Sequence, residues 1–179
     1  SAVRHVLHLS RIPMSLSSIE FLRGRFPMSE PTKIPLMYGL SSASLPTNES
    51  LILASGSPRR AQLLTAAGYD FTVMVAGEDA ECGMCSRETA PEMVARYAYR
   101  KAADVVSRID TGFVLAADTV ASCVGQILGK PRDQEHAEEI LRLLSGRRHD
   151  VYTGVCLWSA QQNRCLVDVV RTELEMLPL

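Results

Sequence analysis

The sequence predicts an α/β domain with a mixed, twisted sheet flanked by helices. Three features predict it. From Leu51 onward, short apolar runs alternate with stretches in which apolar residues recur every three or four positions. Gly, Pro and Ser stand at most of the changes between the two patterns. The last two runs alternate apolar and polar residues on either side of a polar turn, as an antiparallel pair does.

Leu51-Ile52-Leu53-Ala54 is the first strand, ending at Ser55-Gly56-Ser57-Pro58. Ser57 can cap a helix there and Pro58 suits its first turn, where a missing N–H costs nothing. The helix runs through Arg59–Ala67 and stops at Gly68, a residue suited to the left-handed position after a helix. Phe71–Val75 is a second strand. Pro91 opens a helix with Val94, Ala98, Ala102 and Val105 on one face. Phe113–Ala117 is a continuous apolar run, read as a strand buried on both faces, with Asp118 and Thr119 where it ends. Asp133 starts a helix whose Ala137, Ile140, Leu141 and Leu144 form a stripe, closed by Ser145-Gly146. Val151, Thr153, Val155 and Leu157 alternate as a strand, and Gln161-Gln162-Asn163 turns the chain into a partner strand through Val167 and Val169.

Composition bounds the function. In 179 residues, 46% hydrophobic, there is material for one domain with a core. Nineteen Lys and Arg against 20 Asp and Glu give a net charge of −1, which supplies no general field for a nucleic-acid polymer or an anionic membrane. Asp118 interrupts the longest apolar stretch, around 111–129, so no segment reads as a membrane span. Five cysteines, an odd number, argue against a secreted disulfide framework and for a reducing, cytoplasmic setting.

Residues 1–50 hold five of the nine prolines and lack a sustained apolar period, so they read as a disordered extension ahead of a domain at 51–179. Arg4, Arg11, Arg23 and Arg25 against Glu20 leave an organellar leader open.

Three segments carry chemistry. Ser55-Gly56-Ser57-Pro58-Arg59-Arg60 puts two arginines at a helix N-terminus, where a cation opposes the macrodipole; an anion bridging them would explain the placement, and two solvated side chains are the alternative. Ala116-Ala117-Asp118-Thr119 sets a carboxylate where open α/β sheets form crevices; beside phosphates it would bind Mg²⁺ or deprotonate water, and otherwise it would cap a turn. Leu128-Gly129-Lys130-Pro131 holds a lysine on a stiff loop that lacks the spaced glycines of a P-loop. Cys82-Gly83-Met84-Cys85 has zinc-knuckle spacing without a second such pair, and Glu78, Asp79 and Glu81 form an acidic cluster able to lend a metal ligand. His149 reads as a structural or surface imidazole.

Leu53-Ala54-Ser55-Gly56-Ser57-Pro58-Arg59-Arg60, Lys101-Ala102, Ala117-Asp118-Thr119, Gly129-Lys130-Pro131, Leu144-Ser145-Gly146-Arg147, His149 and Thr153-Gly154 follow the order and spacing of the Maf family, which the chain resembles from 51 to about 177. The resemblance implies a Maf/inosine-triphosphatase-like fold around a central phosphate-binding cleft. It also implies hydrolysis of nucleoside triphosphates to the monophosphate and pyrophosphate. Ala117-Asp118-Thr119, in place of the Ser-Asp-Gln of the 7-methyl-GTP branch, resembles the dTTP/UTP branch. By the same resemblance Asp118 accepts the proton, Arg60 and Thr119 tune substrate choice, and Ser55, Arg59 and Lys130 contact phosphates. A divalent metal, Mg²⁺ or Mn²⁺, would sit on Asp118 and Glu81.

Two departures from the family stand out. Ala80 occupies a position where the family carries a Glu, with Asp79 or Glu81 as substitutes. The family also continues past the point matching Leu179 with a Lys- and Gln-bearing segment, so the domain is expected to lack part of its pocket and to show apolar surface and a strand edge. Two expectations follow from different classes. One is an active pyrophosphatase, with a homodimer as a way to close the cleft; the other is a truncated, catalytically weak nucleotide-binding remnant.

Overall fold

The computed structural model describes residues 3–4, 9–11, 49–81 and 88–179, with the backbone alone for 3–4, 9–11 and 81. Within them the chain runs β1 (Val3–Arg4), β2 (Leu9–Arg11), β3 (Leu51–Leu53), α1 (Pro58–Ala66), β4 (Thr72–Val73), a 3₁₀ turn (Glu78–Glu81), α2 (Ala90–Val106), β5 (Phe113–Cys123), β6 (Gln126–Leu128), α3 (Gln134–Leu144), β7 (Arg148–Ser159) and β8 (Arg164–Met176). One mixed sheet joins all eight strands in the order β1-β8-β7-β5-β3-β4, with β2 also on β8 and β6 also on β5. β3 runs parallel to β4 and β5, and every other pairing is antiparallel. Inside the stretch of 1–50, β1 and β2 thus lie along β8.

The start and stop signals act as their chemistry dictates, with two differences. Gly68 takes the left-handed conformation at φ 81°, ending α1. Asp133 caps α3 by accepting from the His136 N–H at 2.8 Å. At α1, Ser57 holds the cap position without using its hydroxyl there; its own N–H instead donates to Ser55 Oγ. At α2, Pro91 is inside the first turn and the cap is Thr89, whose side chain and backbone close a reciprocal box with Glu92.

Strand β5 departs from expectation twice. It does not end at Ala117: it continues to Cys123, so Asp118 and Thr119 stand in mid-strand. The reason is its partner, since β7 pairs with it continuously from Phe113↔Ser159 to Ser122↔Asp150 and satisfies the backbone well past the end of β3. Nor is it buried on both faces. Val114, Ala116 and Val120 are buried, whereas Phe113, Leu115 and Ala117 are only half-buried.

The core explains that asymmetry. α2 buries Val94, Ala95, Ala98, Ala102 and Val105 against Val114, Ala116, Val120, Cys156, Trp158 and Val169 on one face of β5, β7 and β8. Gly154 on β7 lets the helix come this close: a Cβ there would run into the Val94 carbonyl and lie 2.8 Å from the Ala95 nitrogen. Tyr99 packs its ring 5.1 Å from Trp158, and burial pushes its hydroxyl up to about 12. On the other face α1 and α3 bury no residue fully. The α3 stripe is correspondingly shallow, with Ala137, Ile140 and Leu144 half-buried and Leu141 exposed.

Candidate functional site

The sheet contains a gap. Along one edge of β5, β3 pairs with Phe113–Leu115 and β6 pairs with Ala121–Cys123, while β7 fills the opposite edge throughout. Beyond the Ala54 N–H, which donates to the Leu115 carbonyl at 2.8 Å, the chain leaves the sheet at Ser55 and enters α1. Among the described residues no strand lies along the β3/β6 edge of β5 between Leu115 and Ala121, and that interval holds Asp118 and Thr119. The break therefore lies at the end of β3 and opposite the middle of β5, and not at the end of β5 as the apolar run suggested.

Two polar groups border this gap. The first joins the α1 N-terminus to the sheet: Arg60 donates from Nη1 to Ser55 Oγ at 2.9 Å and from Nη2 to Thr119 Oγ1 at 3.4 Å. Thr119 Oγ1 also lies 3.1 Å from Thr153 Oγ1, directly across on β7. Ser55 is buried, Arg60 half-buried and Thr119 exposed, so the group runs from the floor of the gap to solvent. The second is a charge pair beneath α2, in which Lys101 Nζ meets Asp118 Oδ1 at 2.6 Å with side chains 9% and 14% exposed. A pair this enclosed holds only while both members are present, because either one alone would be a buried, uncompensated charge.

Successive residues of a strand point to opposite faces, so Asp118 projects toward α2 and Thr119 toward the Arg60 side. The structure therefore places Ser55, Arg60 and Thr119 in one cluster and sets Asp118 in an adjoining one. Arg59 and Lys130 are exposed and flank the gap without entering either cluster. The antiparallel register of β5 and β6, Ala121↔Leu128, would set Lys130 beside Thr119 if it continued two residues further. Ala80 is buried, and Glu78 and Asp79 are exposed beside it. The side chain of Glu81 and the whole of Cys82–Cys85 lie outside the described residues.

Lys101 is the residue that sequence reasoning left without a role. The signal was present: Val94, Ala98, Lys101 and Val105 share one helical face, and a lysine on an apolar stripe requires an acidic partner. Another buried pair belongs to the architecture. Arg96 makes two bonds of 2.7 Å to Glu88 and lies over the Tyr97 ring, tying the segment before α2 to the helix.

By fold this is a mixed-sheet α/β protein with a basic, hydroxyl-rich break in one strand edge. The profile described as Maf-like protein matches residues 50–179, and the chain belongs to the Maf family. It is 73% identical over 137 residues to a dTTP/UTP pyrophosphatase of Rhodopirellula baltica, covering 76% of this chain and 60% of that protein. It is 43% identical over 125 residues to a dTTP/UTP pyrophosphatase of Geotalea uraniireducens, covering 70% and 63%. The chain thus spans somewhat less than two thirds of the length of these curated relatives. A solved HAM1 protein from Coxiella burnetii aligns with a TM-score of 0.46 and 14% identity, covering 70% of this chain and 71% of that one.

Proposed function

We propose that the chain is a nucleoside triphosphate pyrophosphatase that cleaves dTTP and UTP to the monophosphate and pyrophosphate. The observation that carries this reading is the sheet gap itself, where Arg60 bridges Ser55 to Thr119, with Asp118 the preceding residue of β5 on the opposite face. Similarity to two dTTP/UTP pyrophosphatases supports the substrate class.

The triphosphate lies along the α1 N-terminus, whose partial positive charge favours an anion. Ser55, Arg59 and Arg60 on one side and Lys130 on the other contact its phosphoryl oxygens. Asp118 takes a proton from water as the water oxygen bonds to the α-phosphorus, and the α–β bridging oxygen departs with pyrophosphate. Lys101 holds Asp118 in place, and Thr119 and Arg60 tune substrate choice.

A divalent cation, Mg²⁺ or Mn²⁺, supplies neutralising charge for the polyphosphate when bound. The donor set fits at its lower bound, since Mg²⁺ takes one or two carboxylates plus substrate phosphates and Asp118 provides one. Among the described residues no three His, Cys, Asp or Glu side chains cluster. Glu81 is the second ligand in this reading. A cytoplasmic location, and a homodimer that closes the cleft, belong to the same proposal; no helix among the described residues is long and apolar enough to cross a membrane.

Pyrophosphate release from dTTP and UTP with Mg²⁺ tests it. Asp118→Asn should lower the rate by a factor of about 10² or more. Equal rates for the variant and the unaltered chain would overturn the assignment, and binding without release would identify a nucleotide-binding remnant instead.

A further inference from the structure

Thr153 belongs to none of the roles above, yet its hydroxyl completes the polar cluster at the gap. Thr119 Oγ1 has two lone pairs and one hydrogen. Arg60, which can only donate, occupies one lone pair from Nη2 at 3.4 Å. Thr153 Oγ1 is 3.1 Å away on the neighbouring strand, at the position directly opposite Thr119, so the two side chains share a face and their separation is fixed by the sheet register. When Thr153 donates to the second lone pair, the hydrogen of Thr119 is left pointing away from both neighbours, toward the open side of the gap.

We propose that Thr153 is a positioning residue for nucleotide binding: it orients the Thr119 hydroxyl so that Thr119 donates to an acceptor oxygen of the substrate. The inference rests on the pyrophosphatase reading for its substrate and goes beyond it in assigning Thr153. The acceptor is an oxygen of the phosphate chain or a carbonyl oxygen of the pyrimidine, since both present lone pairs of the required kind.

The full chain carrying Thr153→Val keeps the side-chain volume and loses the hydroxyl; Thr153→Ser keeps the hydroxyl. Binding is measured by calorimetry with the non-hydrolysable α,β-imido analogue of dTTP and with inorganic tripolyphosphate, alongside KM and kcat for dTTP and the melting temperature. Thr153→Val should weaken binding of the analogue about five-fold, with the larger part of the kinetic loss in KM, and Thr153→Ser should recover at least half of it. An equal loss for tripolyphosphate places the acceptor on the phosphates, and a loss confined to the nucleotide places it on the base. The inference is overturned if the Val variant binds as the unaltered chain does, if Val and Ser lose affinity equally, or if the unaltered chain binds no nucleotide. Binding without pyrophosphate release by the unaltered chain would end the pyrophosphatase reading alone, and the Val-to-Ser comparison would still decide the role of Thr153.

Discussion

Helices α1 and α2 are both opened by proline in the first turn, and they have opposite tasks. α2 has eleven buried residues, among them the apolar stripe packed on the sheet, is capped by a reciprocal Thr89–Glu92 box and supplies Lys101 to the sheet. α1 buries none, leaves its cap hydroxyl unused at the helix end and carries Arg59 and Arg60 where the macrodipole disfavours them. Its residues are therefore poorly explained by the stability of the helix and well explained by what they face. The difference teaches where each residue's selection lies: α2 holds the fold together, and α1 holds open a basic edge beside β5.

The comparison breaks most visibly at Gly154. Alanine there must displace α2 from β7, because the added carbon meets helix backbone, which cannot rotate aside. We expect Gly154→Ala to cost about 3 kcal/mol, read as a lower denaturant midpoint at unchanged slope; an unaltered midpoint would mean that α2 does not approach β7 this closely.

A matched pair of truncations sharpens the contrast. Val105→Ala, in the fully buried face of α2, should cost about 2 kcal/mol through lost burial and a residual void. Leu63→Ala on α1, where the side chain is 56% exposed, should change stability by no more than about 0.5 kcal/mol. Similar costs at the two sites would mean that α1 contributes to a core of its own.

A further effect, smaller than those at Gly154 and Val105, concerns the cap of α2. Thr89→Ala should cost about 1 kcal/mol near neutral pH. Hydrogen bonds from the Thr89 hydroxyl and N–H hold the Glu92 carboxyl below its ordinary value of 4.5. A carboxyl depressed in the folded state adds stability above its unfolded value and loses it as pH falls toward the folded one. The gap in melting temperature between Thr89→Ala and the unaltered chain should thus be constant above pH 4.5 and shrink below it; a gap independent of pH would separate the cap from the Glu92 charge.

The sequence carried the punctuation of these elements well, because Gly68, Asp133 and the α2 stripe act through local backbone chemistry. It misplaced the end of β5, since a charged residue after five apolar ones resembles a strand terminus, while the true extent depends on β7, about thirty residues later in the chain. One-sided burial was equally hidden: Phe113, Leu115 and Ala117 are apolar like their neighbours, and only the shallow packing of the second face reveals their half-exposure. At the site, Ser55 and Arg60 were readable as neighbours because a strand, a turn and a helix start bring them together, whereas Thr119, on β5, was tied to Arg60 only through the family resemblance. The Lys101–Asp118 pair required knowing which strand α2 covers.

The pleat of β5 gives Asp118 and Thr119 their separate stations by nothing more than odd and even count. Deleting one residue between Leu115 and Asp118 would exchange them, sending a hydroxyl to Lys101 and an acid to Arg60. Both ion-pairing partners would survive such an edit in the sequence, yet each would greet the wrong neighbour. Parity along a single strand, more than the inventory of side chains, keeps the acid and the alcohol in their own compartments.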